Sequence, residues 1–131
     1  MNIAIMLNAS DLVVNEKFNF DNLHELIPVK SSKSKVKLVR VACHIENINH
    51  ILPLFEFLDN YGYLSACNIT QVSEKTDKDL DEISAMLSLS KVKILYIADS
   101  LGSLSPYHIK RIAKLIRKNW TGPIGIHAHD N

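Results

Sequence analysis

Two histidines one residue apart, His127 and His129, close a short apolar run that begins after Gly122 and Pro123. Such a run reads as a buried strand, and side chains on a strand alternate between its faces. His127 and His129 therefore project to one side and Ala128 to the other. Two imidazoles held together on a rigid strand supply half of a divalent-metal site. A lone His-x-His pair is a weak signal, so the residues at the ends of the earlier apolar runs matter. They read Arg40-Val41-Ala42-Cys43-His44, Asn68-Ile69-Thr70-Gln71 and Ala98-Asp99-Ser100-Leu101-Gly102.

Each of these polar residues has a chemical reading and a plainer one. Asp99 leaves an apolar run as a carboxylate. It suits an acid, a base or an outer partner of a metal, and equally a loop cap that binds backbone N–H groups near Gly102. His44 is a candidate catalytic imidazole, because histidine side chains change charge near neutral pH. It suits the start of a helix equally well. Arg40 shares strand parity with His44. A buried arginine needs a partner, so it either holds a substrate carboxylate or makes a structural ion pair. Asn68 offers two donors and an acceptor, to a substrate or to a loop. No Gly-x-Ser-x-Gly elbow supports Ser100 as a nucleophile. Leu101-Gly102-Ser103 has a single glycine and fits neither phosphate-loop pattern.

The elements that must position these groups recur along the chain. Apolar strand-like runs cover 3–7, 37–43, 64–70, 92–98 and 123–128, at the spacing of one strand–helix unit. Helical periodicity lies between them. It is carried by Ile48, Ile51, Leu52, Phe55 and Leu58, then by Leu80, Ile83, Met86 and Leu87, then by Ile109, Ile112, Ala113 and Ile116. Asn60–Gly62 suits the end of the first helix, and Ser105-Pro106 the start of the last. Residues 7–37 read as loops around a short helix. The whole pattern is α/β, with helices against a parallel sheet whose strands are buried on both faces. An open doubly wound sheet and a stretch of (β/α)₈ barrel both fit. In either, ligands bind at the carboxyl ends of the strands, where the polar residues gather.

Composition excludes several function classes. The 131 residues hold one domain or part of one. They are 47% hydrophobic and 22% charged, ordinary for a globular chain. A formal net charge of +1 argues against a nucleic-acid or membrane-surface partner. The basic cluster of Lys30, Lys33, Lys35 and Lys37 reads as a solvated loop leading into a strand. Cys43 and Cys67 form no Cys-x-x-Cys pair and read as buried, reduced thiols. There is neither a signal-peptide pattern nor a membrane-length apolar run, so a cytoplasmic location is expected.

The run from Tyr96 to Pro106, a helix, and then the run from Ile124 to Asn131 together resemble the metal-dependent aldolase and acyl-CoA lyase superfamily. The Asp-Ser-x-Gly and His-x-His-Asp-Asn elements come in the order found there. Arg40-Val41-Ala42-Cys43-His44 and the His-Ala-His triplet bring the chain nearest the 4-hydroxy-2-oxovalerate aldolases. The resemblance covers residues from about Lys37 onward. It implies a (β/α)₈ TIM barrel, with the run at 3–7 as its second strand and the strands of Arg40, Asn68, Asp99 and His127 as its third to sixth. It implies His127 and His129 as ligands of Mn²⁺ or Mg²⁺, with Zn²⁺ or Co²⁺ as other choices. The superfamily's third ligand, an aspartate ending the first strand, has no counterpart here. Residues 1–131 are therefore expected to be a partial barrel without the first and last two strands. The implied activity is a carbon–carbon lyase acting on a 2-oxo acid such as pyruvate, or on an acyl-CoA, through a metal-stabilised enolate. An acyl-CoA-condensing synthase and a catalytically inert partial barrel are the alternatives. A homo-oligomer that closes the open sheet edges is a further expectation.

Overall fold

The computed structural model describes residues 1–129; Asp130 and Asn131 of the His-x-His-Asp-Asn element lie outside the described residues. Five parallel strands form one sheet in chain order, with two small antiparallel strands apart from it. The sheet strands are β1 (Ile3–Asn8), β4 (Val36–Cys43), β5 (Leu64–Ile69), β6 (Ile94–Ala98) and β7 (Ile124–His127). The helices are α1 (Phe20–Leu26), α2 (Ile48–Asn60), α3 (Asp77–Ser88) and α4 (Pro106–Ile116). Consecutive strands lie side by side with a helix in each crossover, the α/β order expected of a stretch of (β/α)₈ barrel. Among the described residues the sheet does not close on itself: β1 pairs only with β4, and β7 only with β6.

Residues 7–37 hold more structure than their sequence suggests. Beside the short helix α1 lies a hairpin of β2 (Val13–Val14) and β3 (Lys17–Phe18). Its two turn residues, Asn15 and Glu16, have φ of 50° and 60°. Both in the left-handed region is the signature of a type I′ turn, normally marked by Asn-Gly. The glutamate hides that signal.

The helices begin and end where local chemistry directs them. Thr76 and Asp79 form a capping box at the start of α3. The Ser105 side chain accepts from the His108 amide, and Pro106 takes the first turn of α4. α2 ends in a Schellman motif: Tyr63 N–H donates to Leu58 O and Gly62 N–H to Asp59 O, with Gly62 at φ +80°. Ser31 Oγ then donates to Gly62 O at 2.7 Å and fastens the preceding loop to this helix end.

One face of the sheet carries the core. Val39, Val41 and Cys43 of β4, Cys67 and Ile69 of β5, and Leu95 and Ile97 of β6 are buried there with apolar residues of α2, α3 and α4. The expectation of burial on both faces needs correction. β1 and β4 alternate in exposure, and only β5 is buried along nearly its whole length. The second face corresponds to the interior of a barrel. It presents Met6, Arg40, Asn68, Tyr96, Gly125 and His127, placed by register: Met6 opposite Arg40, Asn68 opposite Tyr96, Tyr96 opposite Gly125. Apolar runs alone cannot reveal this asymmetry, because the second face also carries apolar residues, Ala42, Ala66 and Ala98.

Candidate active site at the carboxyl strand ends

Three polar side chains expected from the sequence meet across three strands. Arg40 Nε donates to Asn68 Oδ1 at 3.4 Å, and Asn68 Nδ2 lies 3.1 Å from His127 Nδ1. Asn68 is only 2% exposed, so both ends of its amide need partners, and both have one. Parallel pairing makes this contact. Asn68 and Tyr96 are Cα partners between β5 and β6, and Ala98 and His127 between β6 and β7.

The arginine rests on a support that sequence reasoning overlooked. Its guanidinium carbon sits 4.4 Å from the centroid of the Tyr96 ring, within cation–π range. The ring in turn lies against Gly125, where a Cβ would come within 2.4 Å of Tyr96 Cε1. Gly125 is therefore small because an aromatic ring occupies the space above it. The available signal was a tyrosine and a glycine facing each other on the parity shared with Asn68. Among the described residues no carboxylate forms an ion pair with Arg40.

His127 and His129 project to the same side, with rings stacked 5.0 Å apart and 9° from parallel. Two imidazoles so placed match the nitrogen donors that divalent transition ions take. Among the described residues, no third His, Cys, Asp or Glu joins them in a cluster that could hold a metal.

His44 stands in an adjoining cleft. It occupies the N-cap position of a short 3₁₀ turn (Ile45–Asn47), and its side chain makes no cap bond. Instead its Nδ1 is 3.0 Å from Thr70 Oγ1, and that hydroxyl also reaches Cys43 O at 3.2 Å. The cleft measures about 210 Å³, and Asn8, Asn47, Gln71 and Ser100 line it along with His44 and Thr70. Gln71 has φ of 52°, and its backbone N–H donates to Ser100 Oγ at 3.2 Å, so the loops after β5 and β6 are joined. Ala42 also lines the cleft and is the Cα partner of Asn68, which makes cleft and polar relay neighbours. Beside His44, the Lys75 ammonium bonds Glu46 and holds its carboxyl below the usual range.

Asp99 is turned into its own loop. Its Oδ1 accepts from Ser103 N–H at 2.9 Å and its Oδ2 from Leu104 N–H at 3.2 Å. The carboxylate thus ties the end of β6 to the residues just before the cap of α4. Cys43 and Cys67 are buried free thiols. Burial, aided by Glu46, pushes the Cys43 thiol up to about 12, and burial also raises Cys67 well above its ordinary value.

A sheet of this connectivity, with its polar groups at the carboxyl strand ends, is a stretch of (β/α)₈ barrel. Two solved structures share the fold. The N-terminal domain of a candidate aldolase from Bacteroides vulgatus superposes with a TM-score of 0.81 at 25% identity, over 99% of this chain and 41% of that one. The carboxyl transferase domain of Rhizobium etli pyruvate carboxylase superposes with a TM-score of 0.76 at 18% identity, over 98% of this chain and 23% of that one. No family model matches. By sequence the chain is homologous to proteins named 4-hydroxy-2-oxovalerate aldolase. It is 31% identical to aldolase 2 of Rhodococcus jostii over 97 residues, 73% of this chain and 28% of the relative. Aldolase 4 of Rhodococcus opacus is 30% identical over 103 residues, 78% of this chain and 29% of the relative. The Bacillus thuringiensis aldolase is 24% identical over 110 residues, 83% of this chain and 31% of the relative. The chain thus spans about three-tenths of the length of the curated relatives it matches. Separately, no helix among the described residues is long and apolar enough to cross a membrane.

Proposed function

We propose that this chain is the substrate-holding segment of an aldolase-type carbon–carbon lyase that cleaves a 4-hydroxy-2-oxo acid into a 2-oxo acid and an aldehyde. The observation that carries the reading is the Arg40–Asn68–His127 line at the strand ends, in a chain homologous to aldolases. Arg40 binds the substrate carboxylate, because it has a fixed charge, a planar fork of donors and no acidic partner among the described residues. Tyr96 holds the guanidinium flat, and Asn68 fixes its Nε edge. His44 takes the proton of the substrate's C4 hydroxyl. The C3–C4 bond then breaks, its electron pair stays with C3 as an enolate, and the aldehyde leaves. Return of a proton to C3 completes the 2-oxo acid. Both oxygens of Asp99 are engaged by backbone amides, so its part is to order the loop beside the reacting groups.

His127 and His129 would hold a divalent ion, Mn²⁺ or Mg²⁺ in the first instance. When bound, such an ion supplies Lewis-acid polarisation of the substrate carbonyl. Titration of the protein with Mn²⁺ tests this part. Wild type is expected to bind, and His127→Ala and His129→Ala each to bind at least about tenfold more weakly. Equal uptake by all three proteins would remove the assignment. Release of pyruvate from a 4-hydroxy-2-oxo acid tests the reaction, and the same protein given acetyl-CoA with a 2-oxo acid tests for a condensing synthase. Turnover only in the second assay would replace the lyase reading with a synthase.

A further inference from the structure

We infer that Arg40, acting through Asn68, selects the ring tautomer of His127 and keeps the imidazole proton on Nε2. A guanidinium has donors and no acceptor. The edge of Asn68 that faces Arg40 Nε at 3.4 Å must therefore be its carbonyl oxygen. The opposite edge is then the NH₂ group, 3.1 Å from His127 Nδ1. An NH₂ group only donates, so Nδ1 must accept, and a neutral imidazole with a bare Nδ1 carries its proton on Nε2. A donor-only group on β4 thus dictates the proton position on β7, three strands away.

Two features make the relay strict. Asn68 is 2% exposed, so a flipped amide would leave buried groups facing like with like, donor to donor at Arg40. Arg40 is held over Tyr96, which Gly125 admits, so the donor cannot readily swing away. Arg40 is here a positioning residue for His127, a role separate from contact with substrate. The consequence lies at Nε2. In this state that nitrogen is a hydrogen-bond donor, and it becomes an electron-pair donor only when Asn68 turns over or its grip on Nδ1 is lost. An anion that draws Arg40 off Asn68 would release that constraint.

The test requires neither a metal nor turnover, so it stands or falls apart from the lyase reading. Long-range ¹H–¹⁵N correlation spectra of the metal-free protein, recorded at about pH 8 where imidazoles are mostly neutral, distinguish protonated from bare ring nitrogens. Wild-type His127 is expected to show a protonated Nε2 and a bare Nδ1. In Asn68→Asp the carboxylate accepts from both neighbours, and the two nitrogens are expected to exchange character. In Arg40→Met the amide loses its fixed partner, and a mixture of the two tautomers is expected. A protonated Nδ1 in wild type, which needs no variant to fold, would overturn the inference. So would a His127 pattern unchanged in a folded Arg40→Met protein.

Discussion

Replacing Gly125 by alanine is the sharpest single test of how the site is supported. The added methyl would lie 2.4 Å from Cε1 and 2.6 Å from Cδ1 of Tyr96, closer than carbon atoms approach. The backbone of β7 is fixed by its pairing with β6, so the ring must yield. Tyr96 is half-buried on the open face of the sheet and has room to tilt away from β7. Overpacking in a closed core costs about 1–3 kcal/mol, and the open face puts this site at about 1–2 kcal/mol. Tilting the ring also forfeits the Arg40 contact, about 0.5–1 kcal/mol at a partly exposed position. The summed loss of about 2 kcal/mol is readily measured by urea unfolding, read from the shift in midpoint at constant slope. The decisive comparison is a double-mutant cycle with Tyr96→Ala. If the methyl acts through the ring, Gly125→Ala should cost at least about 1 kcal/mol less once the ring is gone. Costs that add within about 0.5 kcal/mol would show that the alanine acts elsewhere, and would remove Gly125 as the support of Arg40.

Three further outcomes follow from other parts of the molecule. Asp99→Ala strips the acceptor from the Ser103 and Leu104 amides and should destabilise by about 2–4 kcal/mol, with faster amide exchange at those two residues; unchanged exchange there would refute the loop-ordering role. Gly62→Ala forces a side chain into φ +80° and brings its Cβ within 2.8 Å of Ser31 Oγ, so it should cost about 1–2 kcal/mol of stability, read by thermal or urea unfolding. The thiols give a pH dependence. A native thiol pushed up to about 12 stays protonated where the unfolded thiol ionises, so the unfolded state binds fewer protons above about pH 9 and stability falls as pH rises from there. Alanine at Cys43 should flatten that alkaline decline, and an equal decline with and without the thiol would count against it.

How much could be read from the chain depended on the kind of signal. The five strands and three longer helices were legible because apolar period and cap chemistry agree, as at Ser105-Pro106 and Asn60–Gly62. Strand–helix alternation left their order open between a doubly wound sheet and a barrel stretch, and the family resemblance implied the in-line order found. The hairpin at Val13–Phe18 was not legible, because Asn15-Glu16 adopts a glycine-favoured turn without a glycine. Of the site residues, Arg40, Asn68 and His127 could be named from their places at strand ends. That they touch one another could not, since contact depends on the register between strands. Tyr96 and Gly125 escaped notice because each looks ordinary alone. A tyrosine in an apolar run and a glycine in a short strand become a support only when paired across β6 and β7.

The relay at the strand ends also sets how freely this chain can drift in sequence. Each strand–helix unit contributes its polar residue separately, and a change at Arg40 or His127 breaks one hydrogen bond of the line. Asn68 alone answers to two, one demanding an acceptor and the other receiving a donor. Of the ordinary short side chains, only asparagine carries both on one rigid plane at that reach. Serine would satisfy one side and leucine neither, and aspartate suits both only with His127 in its other tautomer. Position 68 should therefore tolerate the fewest replacements of any in the site, and related sequences that vary there should vary at 40 or 127 as well.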